Sequence, residues 1–185
     1  MADPTPPQGA ASEAVRDHGW IDAVPPPVTD PVPPDALIEW TSLHGPGDSG
    51  PDLVVHGDGR AGVSGRFGGG RPVETRLPEA RVRALLHSII DEHGFFDIAP
   101  ERLDDELASG PAERREGEVL HVAPGPPYPD AGTTLIRVAA GPRRQELRVH
   151  GLPAAARLHP DARGLQALRA IELELLALAE ELGAG

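Results

Sequence analysis

The stretch that decides the fold is LPEARVRALLHSIIDEHGFFDI, residues 77–98. Its apolar residues recur at helical spacing, and the Pro and Glu near its start suit the first turn of a helix. Gly94 favours a helix end, and two of the three Phe residues of the chain follow it directly. The stretch therefore predicts one amphipathic helix that ends at Phe95-Phe96, with an inward face made of Val82, Leu85, Leu86, Ile89 and His93.

Short segments rich in alternating and β-branched residues lie on both sides of this helix and predict strands. The Asp58-Gly59 pair is typical of a tight primed turn, in which both central residues have positive φ. Before the helix, the pattern predicts a strand at 36–44, a hairpin at 53–66 and a short strand at 73–77. After it, the pattern predicts a short helix at 100–110, a charged loop at 111–117, a strand at 118–123, a hairpin of 133–141 with 144–152, and a helix at 164–183.

Strands that come in hairpins predict a mostly antiparallel sheet, here two hairpins plus a first strand. The last helix carries an apolar stripe that is wide enough to cover a sheet. The sequence therefore predicts a single α+β domain over residues 36–185, in which two long helices cover one face of the sheet as a two-layer sandwich. The inward stripe of the last helix is predicted to be Leu165, Leu168, Ile171, Leu175, Leu178 and Leu182, widened by Leu173 and Leu176.

The segment before this domain, residues 1–35, has a different composition. It contains nine Pro residues, and six acidic residues stand against a single Arg. A chain of this kind cannot bury enough apolar surface to offset the entropy lost on ordering. We therefore expect residues 1–35 to be a disordered, acidic, proline-rich arm.

Three residue types are missing from the 185-residue chain: Cys, Lys and Asn. Without Cys there is no thiol nucleophile, Cys-ligated zinc or disulfide, and without Lys there is no P-loop or Schiff-base chemistry. The absence of Lys and Asn beside abundant Ala, Arg, Gly and Pro indicates a GC-rich bacterial genome. No cofactor is indicated by the motifs that remain.

The net charge of −12 repels phosphate backbones, so we expect no nucleic-acid partner. No apolar run approaches the roughly 20 residues that span a bilayer, and the first residues lack the basic start and apolar core of a secretory signal. The expected location is therefore the cytoplasm, with no membrane span.

A combination of motifs in residues 36–182 gives a resemblance. A strand is followed by a hairpin with the sequence HGDGR, a helix that ends in Phe-Phe, a strand that begins Thr-Thr, a second hairpin and a last helix. This arrangement resembles a group of small bacterial α+β domains of unknown function, which share the GDG turn and the FF helix end. The resemblance implies a fold and carries no activity to this chain.

His87 and Asp91 are the candidate metal ligands, because residues four apart on a helix can reach one ion. Two ligands are too few for a site, and His93 lies on another side of the helix. The remaining His residues are scattered, and a sheet could gather some of them near Asp52 or Glu118. The tetrad Gly47-Asp48-Ser49-Gly50 is read as a turn, since the chain before it is too short for the barrel of a trypsin-like enzyme.

No catalytic constellation stands out, so the sequence favours a non-enzymatic binding or protein-interaction module. Its partner would be another protein, bound through an exposed face or edge of the sheet. The basic pair Arg143-Arg144 could meet a carboxylate of such a partner. The alternative is a small metal-assisted hydrolase that uses His and Asp or Glu. Any working site is expected away from residues 77–98, on the opposite face of the sheet or in the 110–132 loop.

Overall fold

The computed structural model describes residue 32 and residues 34–43, 50–108, 112–115, 118–121 and 132–185. Its strands are β1 Leu37–Leu43, β2 Leu53–His56, β3 Arg60–Val63, β4 Val73–Arg76, β5 Ala112–Arg115, β6 Glu118–His121, β7 Thr133–Ala140 and β8 Arg143–His150. Six of them form one antiparallel sheet in the order β4-β3-β2-β1-β7-β8, and β5 pairs with β6 separately. The predicted first strand and both predicted hairpins are therefore confirmed.

The helical segments join these strands. They are α1 Glu79–His87, a π-helix Ser88–Glu92, a 3₁₀ turn Phe95–Asp97, α2 Pro100–Ala108, α3 Leu152–Leu158 and α4 Arg163–Gly183. An antiparallel sheet combined with helices confirms the predicted α+β class. In the described part of the chain, no helix is both long enough and apolar enough to cross a membrane.

Side chains alternate between two faces of the six-stranded sheet. Trp40 lies opposite Leu53 and Ile136 across the neighbouring strands, and all three are buried. We call this side the Trp40 face. On the other side, Glu39 lies opposite Arg137, which lies opposite Glu146. We call this side the Arg137 face.

The core is one cluster of buried side chains. It joins strand residues of the Trp40 face to residues of α1, α3 and α4, with Phe95 fully enclosed. Five residues of the predicted α4 stripe are buried, namely Leu165, Leu168, Ile171, Leu175 and Leu178. Hydrogen bonds tie α4 to the sheet and to the π-helix: Thr134 Oγ1 donates to Glu172 Oε1 at 2.5 Å, and Ser88 Oγ donates to Glu174 Oε2 at 2.8 Å.

The stretch at 77–98 is helical, but it is not the single regular α-helix that the periodicity predicts. From Ser88 onward it forms a π-helix, in which His93 N donates to Ser88 O at 3.0 Å. The wider turn brings Ile90 into the core beside Ile89, while His93 stays half-buried. Gly94 ends the helix in the left-handed region, with φ 61° and ψ 40°, as predicted.

Three further predictions were wrong. The segment predicted as a charged loop contains β5, which pairs with β6. The segment between the second hairpin and α4, for which no element was predicted, contains α3. Leu173 was expected to widen the inward stripe of α4, yet 46% of its surface is exposed. Its position in the sequence places it on the far side of the helix from Leu175, because two residues correspond to about 200° of rotation.

The predicted arm of residues 1–35 lies outside the described residues except for its last few positions. Val32, near its end, is 9% exposed and belongs to the core cluster. Val32 therefore packs against the core although it precedes residue 36, the predicted start of the domain. Residues 44–49, which include Ser49, and most of the 110–132 segment also lie outside the described residues.

Candidate functional site

His87 and Asp91, the candidate metal ligands, are in contact across the junction between α1 and the π-helix. His87 Nδ1 lies 2.7 Å from Asp91 Oδ2, and His87 Nε2 lies 3.7 Å from Glu92 Oε1. The His87 side chain is 57% exposed, so this pair stands on the surface and is screened by water. Both imidazole nitrogens already face carboxylates of the same helix.

Among the described residues, no group of three or more His, Asp or Glu side chains is placed to hold a metal ion. His56 lies on β2 and His150 on β8, so three strand spacings, about 14 Å, separate their strands. Asp52, a predicted acid partner, is buried and accepts hydrogen bonds from Ser42 N at 2.8 Å and Ser64 Oγ at 3.0 Å. Its carboxylate thus braces the ends of β1 and β3.

His93 lines a cavity of about 420 Å³ where the 3₁₀ turn meets the start of α4. Asp97 and Asp161 line the same cavity together with Arg102 and Arg163, so opposite charges balance there. All four of these charged residues are exposed to solvent. The cavity therefore has neither a buried polar group nor a net charge that would select a ligand.

The last strand, β8, lies at an edge of the six-stranded sheet, and the direction of its backbone groups can be read from one hydrogen bond. Gly151 N donates to Gly132 O at 2.8 Å, one step beyond the opposed pair Thr133 and His150. Hydrogen-bonded and non-hydrogen-bonded pairs alternate along an antiparallel ladder. Val149 and Leu147 therefore bond to β7, whereas the N–H and C=O groups of Arg148, Glu146 and Arg144 point away from it.

Within the described part of the chain, β8 has a strand on one side and no backbone hydrogen bond on the other from Arg144, Glu146 or Arg148. At eight residues it is twice as long as β4, the strand at the opposite edge. Short edge strands discourage pairing with other chains, and long ones invite it. Of the two edges of this sheet in the described part of the chain, β8 is therefore the one that its length protects less against pairing with another strand.

The outer side of β8 borders a groove of about 800 Å³. Residues 96–98 form part of its wall, and this segment is held to β8: Gln145 Nε2 donates to Ile98 O at 2.7 Å and to Phe95 O at 3.1 Å. Arg143 Nη2 donates to Phe96 O at 3.3 Å, and its guanidinium lies 4.4 Å from the centre of the Phe96 ring. We call this the edge groove, which is lined by Phe96, Asp97, Ile98, Ala99, Pro100, Glu101, Arg137, Arg143, Arg144, Gln145 and Glu146.

A row of charges crosses the Arg137 face and reaches the edge groove. Arg137 Nη1 donates to Glu39 Oε2 at 2.5 Å, and Arg137 Nη2 donates to Glu146 Oε2 at 2.6 Å. These hydrogen bonds, first the one to Glu146 and then the one to Glu39, raise the pKa of the Arg137 guanidinium above its usual value. Arg148 Nη2 lies 3.8 Å from Glu146 Oε1, too far for a hydrogen bond, so Glu146 ends the row.

The sequence indicated part of this site. It predicted the second hairpin and singled out the basic pair Arg143-Arg144, but it did not predict that Arg143 lies over the Phe96 ring. The role of Gln145 was missed, because its hydrogen bonds go to backbone carbonyls that are distant in sequence. The groove wall includes the last residues of the stretch 77–98, and any working site was expected to lie away from that stretch.

Comparison of the chain with protein family models, with curated proteins and with solved structures found no match. The resemblance to small bacterial α+β domains stays a prediction.

Proposed function

We propose that this protein is a non-enzymatic interaction module, which binds an extended protein segment as an added strand along β8. The observation that carries the proposal is the long edge strand whose outward backbone groups border the edge groove. In this mode of recognition, main-chain hydrogen bonds supply affinity and flanking pockets read the side chains of the added strand. Glu146 and Arg144 offer charges of both signs to those side chains.

The proposal includes an architecture of two layers, in which the helices cover the Trp40 face and leave the Arg137 face and the β8 edge for partners. Three observations support it. The strand residues of the core cluster lie on the Trp40 face, the helical residues of the core join the same cluster, and Thr134 of β7 bonds to Glu172 of α4. A strand added to β8 would extend the sheet without disturbing that core.

A metal-assisted hydrolase has less support. Such an enzyme needs His and carboxylate side chains that converge in a concave site with shifted pKa values. His87 and Asp91 pair on an exposed helix surface, and the described residues hold no larger group of possible ligands. We therefore propose binding rather than catalysis.

A peptide-binding experiment with two variants of one residue tests this function. Peptides are selected from a displayed random library on the wild-type protein, and their affinities are measured by calorimetry for Arg148→Pro and Arg148→Ala. Proline removes an N–H that points away from β7, so the β7–β8 ladder is retained, while an added strand loses a hydrogen bond and meets the ring. We expect Arg148→Pro to bind about tenfold or more weakly than Arg148→Ala.

Amide hydrogen exchange supplies the second readout. A peptide bound along β8 should slow exchange at the backbone N–H groups of Glu146 and Arg148 in the wild-type protein. Circular dichroism checks that both variants stay folded. Selected peptides that bind both variants equally, or that protect amides elsewhere, would overturn the proposed function.

A further inference from the structure

We infer that the strand added to β8 is β8 of a second copy of this chain, so that two six-stranded sheets join edge to edge about a two-fold axis. This inference rests on the proposed function and names its partner. It is carried by the charge pattern of β8 together with the direction of its backbone groups.

The geometry of the strand restricts the possible registers. Only residues of even number in β8 direct their backbone groups away from β7, so an added copy must pair even positions with even positions. Two symmetric antiparallel registers then keep the longest overlap within Arg143–His150. One has its axis at Glu146 and pairs residues 143–149, and the other has its axis at Leu147 and pairs residues 144–150.

Charge decides between these two registers. With the axis at Glu146, that residue would face its own copy, and Arg144 would face Arg148. With the axis at Leu147, Glu146 of each copy faces Arg148 of the other, which places two unlike charge pairs across the interface. Unlike charges directly opposite stabilise a strand pair, and like charges destabilise it. The charges of β8 are therefore self-complementary in the Leu147 register.

The side chains of Arg148 and Glu146 are exposed and could contact a second copy. Arg148 is 64% exposed and Glu146 is 40% exposed, and their own contact of 3.8 Å is weaker than a hydrogen bond. Glu146 would keep Arg137 on one side and gain Arg148 of the second copy on the other. In the same register, residues 148–151 of the second copy lie opposite residues 143–146, and so beside the edge groove.

Sedimentation velocity over a concentration series tests the inference on the full chain. We expect the wild-type protein to form a dimer. Both Arg148→Glu and Glu146→Arg should weaken dimerisation about tenfold or more, because each turns two unlike charge pairs into like ones. Arg76→Glu, which makes the same charge change on β4 at the other edge, is the matched control and should leave the dimer unchanged.

A mixture of the two weakened variants gives the decisive result. In a mixed pair, Arg148→Glu in one copy faces Glu146→Arg in the other, and the remaining wild-type Glu146 and Arg148 face each other. Mixing should therefore restore the dimer that each variant loses alone. General damage to the fold cannot produce such a rescue, and circular dichroism of each variant confirms that it is folded.

The outcomes separate this inference from the proposed function. If the wild-type protein is a monomer that still binds selected peptides at β8, the partner is not a second copy, and the dimer inference is overturned. That result would still support the proposed interaction module. A wild-type monomer that binds no peptide at β8 overturns both. A dimer that is indifferent to Arg148→Glu, or that mixing does not restore, forms through another surface and overturns the inference.

Discussion

At the scale of single residues, Gly59 of the first hairpin packs its backbone against that of Leu77. Its φ is 89°, and a Cβ atom at this position would lie 2.6 Å from Leu77 O. The same two residues are joined by a hydrogen bond from Leu77 N to Gly59 O at 2.8 Å. Gly59 therefore fixes where the chain enters α1 as well as how β2 turns into β3.

Replacing Gly59 by Ala should lower the free energy of unfolding more than a Gly→Ala change at a left-handed position that has open space around it. Gly141, at the β7–β8 turn, has φ 57°, and a Cβ added there would meet no other part of the chain within 4 Å, so Gly141→Ala is the matched control. Both variants have left-handed strain, but Gly59→Ala adds a clash with Leu77 O. We expect it to lose about 1–3 kcal/mol more free energy of unfolding in urea. Equal losses would contradict this account.

The first hairpin also marks the limit of residue-level prediction. The Asp58-Gly59 pair located the turn correctly, since β2 and β3 meet there. The closing hydrogen bond runs from Gly59 N to His56 O at 2.9 Å, so Gly57 and Asp58 are the central residues and Gly59 follows them. The connection is therefore the three-residue loop 57–59 rather than the predicted two-residue primed turn, and Gly59 supplies the positive φ that such a loop needs at its last position.

Asp58 has its own local role in this turn. Its carboxylate accepts from Arg60 N at 3.0 Å and from Arg60 Nε at 2.8 Å. The hydrogen bond from the backbone N–H of Arg60, followed by the one from its side chain, lowers the pKa of Asp58 below the usual value. A lowered pKa in the folded state favours folding above the unfolded pKa, and this contribution is lost as the pH falls through the folded value.

At the scale of elements, prediction succeeded where one period ran through a whole segment. The i, i+3, i+4 stripe of α4 identified five of its seven buried residues, and the alternation of apolar residues identified β7 and β8 as strands. It failed at Ser88–Glu92, where the wider turn of the π-helix changes which residues face inward. It also failed for β5, whose sequence AERR has too few apolar residues to show alternation.

The two faces of α4 give a prediction at this scale. Leu168 is 1% exposed and Leu173 is 46% exposed, although both are Leu in the same helix. Leu168→Ala should lower the free energy of unfolding by about 2–5 kcal/mol, because it leaves a cavity in the core. Leu173→Ala should change it by less than about 1 kcal/mol, since surface substitutions cost little. Comparable losses from the two variants in urea denaturation would show that Leu173 is covered.

At the scale of the whole molecule, the core is continuous from the first strand to the last helix. Strands from both hairpins and residues of α1, α3 and α4 contribute to one buried cluster. The end of α4 also contacts the connection after β3, since a Cβ at Gly183 would lie 2.3 Å from Phe67 O. The composition predicted a single domain with an aliphatic core, whereas these long-range contacts depend on how the chain is arranged in space.

Removal of α4 should therefore abolish cooperative folding of the whole domain, rather than remove one helix from an otherwise folded domain. Its five stripe residues are at most 3% exposed, and burial of each contributes about 1.5–3 kcal/mol. Their sum is comparable to the whole stability of a typical domain, about 5–15 kcal/mol. A fragment of residues 1–162 should show no thermal transition by circular dichroism and poor dispersion in its NMR spectrum, and adding a peptide of residues 163–185 should restore both. A fragment that melts cooperatively on its own would show that the sheet and the other helices form a sufficient core without α4.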